Sequence, residues 1–228
     1  MRLSVLLALL ARGAAFSAPA ARGPQRTKAL RVAPSGIDAL PLAQQAAVFF
    51  GTFAGLGGAT AVSTAALESA AQKFQAVRTW KKTLPLLGAV YVAAGFAHFG
   101  VQDAFTSIYP PQGTWGLWYL PGSAEFHVAW TGVAEGAGGA ALLVGGAARL
   151  VDGAPKQLKD LAPIGAAALL ALTFAVTPAN IYMYTHGAIM VGAGPPGALD
   201  VSFHYVRFAA QVVLLSILKT IADDKEPL

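Results

Sequence analysis

Five long stretches without a cluster of charged residues dominate the hydropathy pattern of this chain. Each is long enough to cross about 30 Å of hydrocarbon as a helix of about 20 residues. The fourth is expected to end near Tyr184 and to continue as a loop rich in glycine and proline. The pattern therefore predicts an all-α, polytopic membrane protein. The stretches are residues 39–67, 83–102, 126–148 (interrupted by Glu135), 161–199 and 201–218 (interrupted by Arg207).

Composition supports this prediction. Hydrophobic residues make up 55% of the chain and charged residues 12%, whereas soluble domains carry about 25% charged residues. A length of 228 residues favours a single helical bundle. The chain contains no cysteine, which excludes disulfides, thiolate metal sites and dithiol redox relays. Any redox role must therefore use other groups.

The first 38 residues are predicted to be a targeting presequence outside the folded domain. An apolar run at residues 3–10 is typical of a secretory signal, and the basic stretch that follows resembles a transit peptide. Phe16, within AAFSAP, would follow the cleavage site of the first signal. The two signals in series favour a plastid membrane, either thylakoid or inner envelope, with the endomembrane system as the alternative. The formal charge of +5 owes much to this segment, so it indicates targeting and not nucleic-acid binding.

The charges of the loops predict an orientation. Lysine and arginine collect in the loops at residues 73–82 and 149–159, whereas the opposite loops carry Asp103, Glu125 and Asp200 without a basic residue. The positive-inside rule places the basic side in the cytoplasm or, in a plastid, the stroma.

Residues 83–220 are expected to form an antiparallel four-helix transmembrane bundle, followed by a polar tail at 221–228. Residues 39–72 are expected to add one N-terminal hydrophobic helix, which either spans the membrane or lies on the surface of the bundle. Gly51, Gly55 and Gly58 in this helix would allow close approach to another helix.

The direction of each span brings all four histidines to the acidic side. His98 lies near the end of the second span and His127 at the start of the third. His186 follows the end of the fourth span, and His204 lies near the start of the fifth. Histidines at helix ends are often interfacial residues without a ligand, and that alternative applies chiefly to His127 and His186.

Two ionisable residues lie deeper in the spans. Glu135 is about two turns inside the third span and Arg207 about a turn inside the fifth. Charges at such depth are costly and normally pair in the bundle interior, so Glu135 and Arg207 are predicted to form a buried ion pair and to be the candidate catalytic residues. Asn180 lies at similar depth, although it follows Pro178 and could instead bond carbonyls that the proline releases.

An aromatic loop connects the second and third spans. It is about twenty residues long, which is unusual for a helical bundle. It is expected to rest at the membrane interface as an aromatic belt, with a lid over the polar cluster as the alternative. The loop contains Tyr109, Pro110, Pro111, Trp115, Trp118, Tyr119 and Pro121.

Four motifs in the spans resemble those of the DoxX family of small four-helix membrane proteins. They are AGFAHF at 94–99, TGVAEGAGGAALLVG at 131–145, VTPANIYMY at 176–184 and FHYVRFAAQ at 203–211. The loop at 113–130 resembles the plastid and cyanobacterial branch of that family. The resemblance implies that His98, Glu135, Asn180 and Arg207 occupy the family's polar motif positions. Tyr182 and His204 lie in the same motifs, so the candidate ligand-binding set is His98, Asn180, Tyr182 and His204.

The resemblance implies a quinone-interacting redox subunit, because some members of the family are the membrane subunit of a thiosulfate:quinone oxidoreductase. Quinone carbonyls accept hydrogen bonds, which suits histidine, asparagine and arginine donors, and Glu135 could relay protons. A redox partner subunit would be required, since the chain holds no visible electron carrier. Two alternatives stay open, a non-catalytic scaffold or assembly factor and a small-solute transporter. Haem ligation by His98 and His204 is not expected, and whether the chain is an enzyme is left open.

Overall fold

The computed structural model describes residues 33–75 and 79–223. This part of the chain is helical and contains no strand, so the predicted all-α class is confirmed. Residues 1–32 of the predicted presequence and residues 224–228 of the predicted tail lie outside the described residues. The long helices are α1 (Leu42–Lys73), α2 (Leu84–Gly100), α3 (Ala124–Arg149), α4 (Leu161–His186) and α5 (Val201–Ala222).

Four of these helices are long and apolar enough to cross a membrane: α1, α3, α4 with the turn before it, and α5. The protein is therefore a multi-pass membrane protein. The additional N-terminal helix is the longest, with 32 residues, or about 48 Å. Helix α2 is the shortest at 17 residues, or about 25 Å. The fourth span ends at His186 because Gly187 takes the left-handed conformation, with φ 63°, that commonly terminates a helix.

Helices α2 to α5 pack in chain order, each antiparallel to the next. Gly132 faces His98 at one end of the α2–α3 pair, and Gly146 faces Leu84 at the other end. Helix α1 packs on α5 and runs parallel to it, since Gly55 faces Phe208 and the Ser216 hydroxyl donates to the Thr60 carbonyl at 3.3 Å. The histidine ends of α2 to α5 therefore meet at one end of the bundle.

Glycines on α3 set the spacing of the bundle. One row of three glycines, spaced seven residues apart, faces α2, and a second row of two faces α4. A Cβ added at any of them would lie within 3.0 Å of an atom of the neighbouring helix. The nearest atom belongs to the backbone at Gly139 and Gly145 and to a side chain at the other three, so α3 packs closely on both neighbours, as small residues allow in membranes. The rows are Gly132, Gly139 and Gly146 toward α2, and Gly138 and Gly145 toward α4.

The close approach predicted for α1 is wrong. A Cβ at Gly51 or Gly58 would meet nothing within 4 Å, and one at Gly55 would meet only the ring of Phe208 at 3.9 Å. Two helices with their backbones in contact need small residues on both sides, and α5 presents the large ring of Phe208 here. The glycines of α1 therefore leave open space.

Apolar packing is concentrated at the basic end of the bundle. Leu84, Leu142, Leu169 and Leu218, one from each of α2 to α5, are at most 1% exposed and belong to one cluster. This cluster holds the four helices together at the end of the bundle that lies next to the lysine- and arginine-rich loops. Space is left at the opposite, histidine end.

The folded part begins ahead of the predicted presequence boundary at residue 38. The Ala33 backbone N–H donates to the Asp38 carboxylate at 2.9 Å, and the Gln45 amide donates to the Asp38 and Leu40 carbonyls at 3.2 and 2.8 Å. Ala33 also lies against Gly187 at the end of α4. These contacts extend the packed structure to residue 33, and the end of the presequence at residue 38 stays a prediction.

Candidate functional site

A cavity of about 420 Å³ lies inside the histidine half of the bundle. His98 of α2, Glu135 of α3, Asn180 of α4 and Arg207 of α5 all line it. The four polar residues expected to lie together are therefore brought to one cavity by four different helices. The cavity exists because α2 and α5 are not close neighbours in the bundle.

Glu135 is paired with His98. The Nδ1 atom of His98 lies 3.3 Å from Oε2 of Glu135 and 3.1 Å from the Ala94 carbonyl oxygen. Both neighbours are acceptors, so Nδ1 carries the proton and Nε2 is left for other partners. Stacking on Phe105, with ring centroids 3.9 Å apart, fixes the imidazole plane. This pair is the ionisable group on the α2–α3 side of the cavity.

The predicted ion pair between Glu135 and Arg207 is wrong. Among the described residues, no carboxylate lies within 4.0 Å of the Arg207 guanidinium, which donates from Nη1 to the sulfur of Met183 at 2.8 Å. The two residues lie at similar depth, but the cavity separates α3 from α5 at this level. The sequence correctly predicted that Glu135 and Arg207 lie at similar depth and line one cavity. It did not correctly predict that their side chains touch.

A second wall of the cavity is a hydrogen-bonded chain between α4 and α5. The Asn180 amide donates to Oε1 of Gln211 at 3.1 Å, and the Gln211 amide donates to Oγ1 of Thr177 at 2.8 Å. The Thr177 hydroxyl in turn donates to the Thr173 carbonyl at 2.7 Å. Asn180 therefore binds a side chain of α5, and the alternative in which it bonds carbonyls released by Pro178 does not describe its contact.

Sequence reasoning missed several residues of the cavity. Gln211 lies four residues after Arg207 and Thr131 four before Glu135, so each shares a helix face with a residue that was singled out. Tyr91 lies seven residues before His98, and its buried hydroxyl has no hydrogen-bond partner of good geometry in the described part of the chain. Extending each candidate by one or two turns along its own helix would have found all three.

Two residues of the predicted ligand-binding set lie elsewhere. His204 lines a separate cleft between α1 and α5 and does not line the central cavity. Tyr182 lines neither, and packs edge-on against Trp115 in an aromatic cluster near the end of α4. Since His98 and His204 line different cavities, they do not form a common axial pair for haem.

His127 and His186 have structural partners. Nδ1 of His127 accepts from the Trp130 indole at 3.0 Å, so its Nε2–H donates to the Pro121 carbonyl at 2.8 Å. His186 shares a hydrogen bond of 2.8 Å with the Thr185 hydroxyl. His127 thus fastens the aromatic loop to α3.

The aromatic loop folds over the histidine end of the bundle. Tyr109 stacks on the His127 ring with centroids 5.1 Å apart, and Trp118 and Leu120 help to enclose a small cavity of about 100 Å³ against His98. Trp115 is 1% exposed and donates from its indole to the Thr185 hydroxyl at 3.0 Å. This geometry agrees with the alternative of a lid over the polar cluster.

Comparison of the chain with protein-family models, with curated proteins and with solved structures finds no match.

A double-mutant cycle should separate the observed pair from the predicted one. We expect His98→Ala and Glu135→Gln to be non-additive in the free energy of unfolding, with a coupling of about 0.5–3 kcal/mol, because the side chains touch. Glu135→Gln and Arg207→Gln should show the smaller coupling, since the two side chains share no hydrogen-bond partner and meet only across the cavity. Unfolding in detergent measures both cycles. Coupling between Glu135 and Arg207 without coupling between Glu135 and His98 would contradict the observed geometry.

Proposed function

We propose that this chain binds a quinone in the central cavity and serves as the membrane subunit of an oxidoreductase complex. The observation that carries the proposal is that polar groups on opposite walls face one cavity: the His98–Glu135 pair on one side, and Asn180 with Arg207 on the other. A para-quinone has carbonyl oxygens at opposite ends of an apolar ring. Such a ligand needs donors on two walls. Asn180 and Arg207 supply them on one wall, and on the other His98 donates from Nε2 when its ring carries both protons beside the Glu135 carboxylate.

The size and lining of the cavity fit a ring of this kind. Its volume of about 420 Å³ lies within the range of about 300–1,000 Å³ typical of small-molecule sites. Leu172, Val176 and Leu214 supply apolar surface between the polar walls. Arg207 provides a cation close to one carbonyl, where it would stabilise negative charge.

A bound quinone would supply two-electron, two-proton redox chemistry. In this chain, His98 and Glu135 are the residues able to hold and move a proton. With neutral His98, Nε2 can accept a proton from a hydroxyl in the cavity, and the imidazolium formed is stabilised by the Glu135 carboxylate, whose Oε2 lies 3.3 Å from Nδ1. Electrons would pass to or from a redox partner subunit, so the chain alone is not proposed to complete a catalytic cycle.

The resemblance of the four motifs to the DoxX family supports the same proposal, as does their placement of four polar residues at one cavity. The presequence features support a plastid membrane as the location, with the endomembrane system as the alternative. The four apolar helices by themselves indicate association with a lipid bilayer.

A matched pair of histidine substitutions tests the proposal. We expect the purified protein in detergent to bind decyl-plastoquinone, and we expect His98→Phe to weaken binding at least tenfold because it removes both ring nitrogens from the cavity wall. His204→Phe makes the same change outside the cavity and should leave binding unchanged. Quenching of tryptophan fluorescence by the quinone measures affinity.

The outcomes separate the alternatives. Equal loss in both histidine variants would show that the effect is not local to the cavity. No binding by a folded unsubstituted protein would leave the non-catalytic scaffold as the better interpretation, and substrate uptake by proteoliposomes would instead support the transporter.

A further inference from the structure

A second cavity, of about 430 Å³, forms a cleft between α1 and α5 against one side of α4. It exists because Gly51 and Gly55 of α1 present no side chain where the two helices diverge. Toward the basic end the cleft is closed by Leu56, which has no exposed surface, and by the hydrogen bond from Ser216 to Thr60. The result is a narrow apolar slot beginning at the histidine end.

Two nitrogen-bearing side chains at the cleft lack partners that match their chemistry. His204 is 8% exposed and, alone among the four histidines, makes no hydrogen bond through its ring within the described part of the chain. Arg207 lies one turn later on α5 and, within residues 33–75 and 79–223, donates only to the sulfur of Met183. Both line the cleft.

The acidic residue that precedes α5 does not fill this role. Asp200 caps the helix, and its Oδ1 accepts from the Ser202 backbone N–H at 2.8 Å and from the Ser202 hydroxyl at 2.6 Å. It makes no ion pair with Arg207 among the described residues. A cation inside a membrane is costly without a counter-ion. The described part of the chain thus supplies no counter-ion to Arg207, which leaves a place for one from a bound molecule.

We propose that this cleft binds a single-chain anionic lipid of the fatty-acid type. The carboxylate contacts Arg207, whose planar guanidinium suits two oxygens of one carboxylate, and the His204 ring. The hydrocarbon chain lies along Gly51, Gly55 and Phe208, where the lining is apolar. Arg207, Asn180 and Gln211 also line the central cavity, so the lipid site adjoins the proposed quinone site but has its own ligand.

Spin-labelled stearate tests the proposal with the full chain in phosphatidylcholine nanodiscs. We expect a motionally restricted stearate component at least tenfold larger than for the stearate methyl ester, which has the same chain without the charge. Gly51→Leu should abolish this component because the new side chain fills the slot, where a Cβ meets nothing within 4 Å. Gly58→Leu makes the same change on the same helix outside the cleft and should leave it intact.

Histidine variants then separate this site from the quinone site. His204→Phe should reduce the restricted stearate component at least fivefold, whereas His98→Phe should not change it, the reverse of the expectation for quinone binding. Equal restriction of the acid and its ester, or equal effects of Gly51→Leu and Gly58→Leu, would overturn the proposal. Tighter restriction of spin-labelled phosphatidylglycerol than of stearate would also overturn it, in favour of a two-chain phospholipid.

Discussion

Replacing Trp115 with alanine is expected to lower the free energy of unfolding by about 3–5 kcal/mol, the cost of truncating a large buried aromatic side chain. Trp115 is 1% exposed. Its ring lies 4.8 Å from the Phe49 ring of α1, and its indole N–H donates to Thr185 of α4. The residue therefore joins the aromatic loop to two helices at once.

The backbone at Trp115 shows how strongly this position is held. Its φ of 57° is the only positive value among the described non-glycine residues, and a bulky residue rarely adopts this conformation. Such strain persists only where surrounding contacts over-determine it. The ring packing and the hydrogen bond of the side chain supply those contacts.

Denaturant unfolding in detergent measures the effect, with Tyr119→Ala as the control. Tyr119 lies in the same loop but is 67% exposed, so its loss should change stability by less than about 0.5 kcal/mol. Thr185→Val should cost about 1–3 kcal/mol by leaving the buried indole N–H without its acceptor. If Trp115→Ala were as mild as Tyr119→Ala, the loop would not be anchored as described.

Gly139→Ala is expected to destabilise the protein by about 1–3 kcal/mol through overpacking. The new Cβ would lie 2.7 Å from the Val92 backbone nitrogen and 2.8 Å from the Tyr91 Cβ. Neither is the far end of a flexible side chain, so α2 and α3 must move apart to relieve the contact. The better helix propensity of alanine, about 1 kcal/mol, offsets only part of this cost.

Gly136→Ala is the matched control on the same helix. A Cβ at Gly136 would meet nothing within 4 Å, so alanine should be neutral or stabilising by up to about 1 kcal/mol through helix propensity. Thermal unfolding of the two variants, less than one turn apart on α3, compares them at nearly the same membrane depth. Equal midpoints would show that the helices are not in backbone contact.

Sequence patterning predicted the helices because membrane spans have a clear signal. A span must be long, apolar and free of clustered charge, and these features can be counted along the chain. Helix direction alternates with each loop, and each residue adds a fixed rise of about 1.5 Å. Residue number therefore predicts depth, which is why His98, Glu135, Asn180 and Arg207 were expected near one another and do line one cavity.

The rotation of each helix about its axis, unlike the depth of its residues, could not be predicted from the sequence. The reason is that a face toward lipid and a face toward protein are both apolar. Membrane helices lack the polar outer face that orients a helix in a soluble protein. Tyr182 and Asn180 are only two residues apart, yet Tyr182 packs in the aromatic cluster while Asn180 lines the cavity. His204 likewise faces the cleft beside α1.

The chain by itself thus determined the all-α membrane fold, the approximate positions of the long helices, and the end of the bundle that holds the polar residues. Only the tertiary structure decided that Glu135 contacts His98 and not Arg207, and that the close backbone contacts belong to the glycines of α3 and not to those of α1. The reason is physical: depth follows from counting residues along one helix, whereas contact requires the neighbour, the rotation and the spacing of two helices, which their packing sets together.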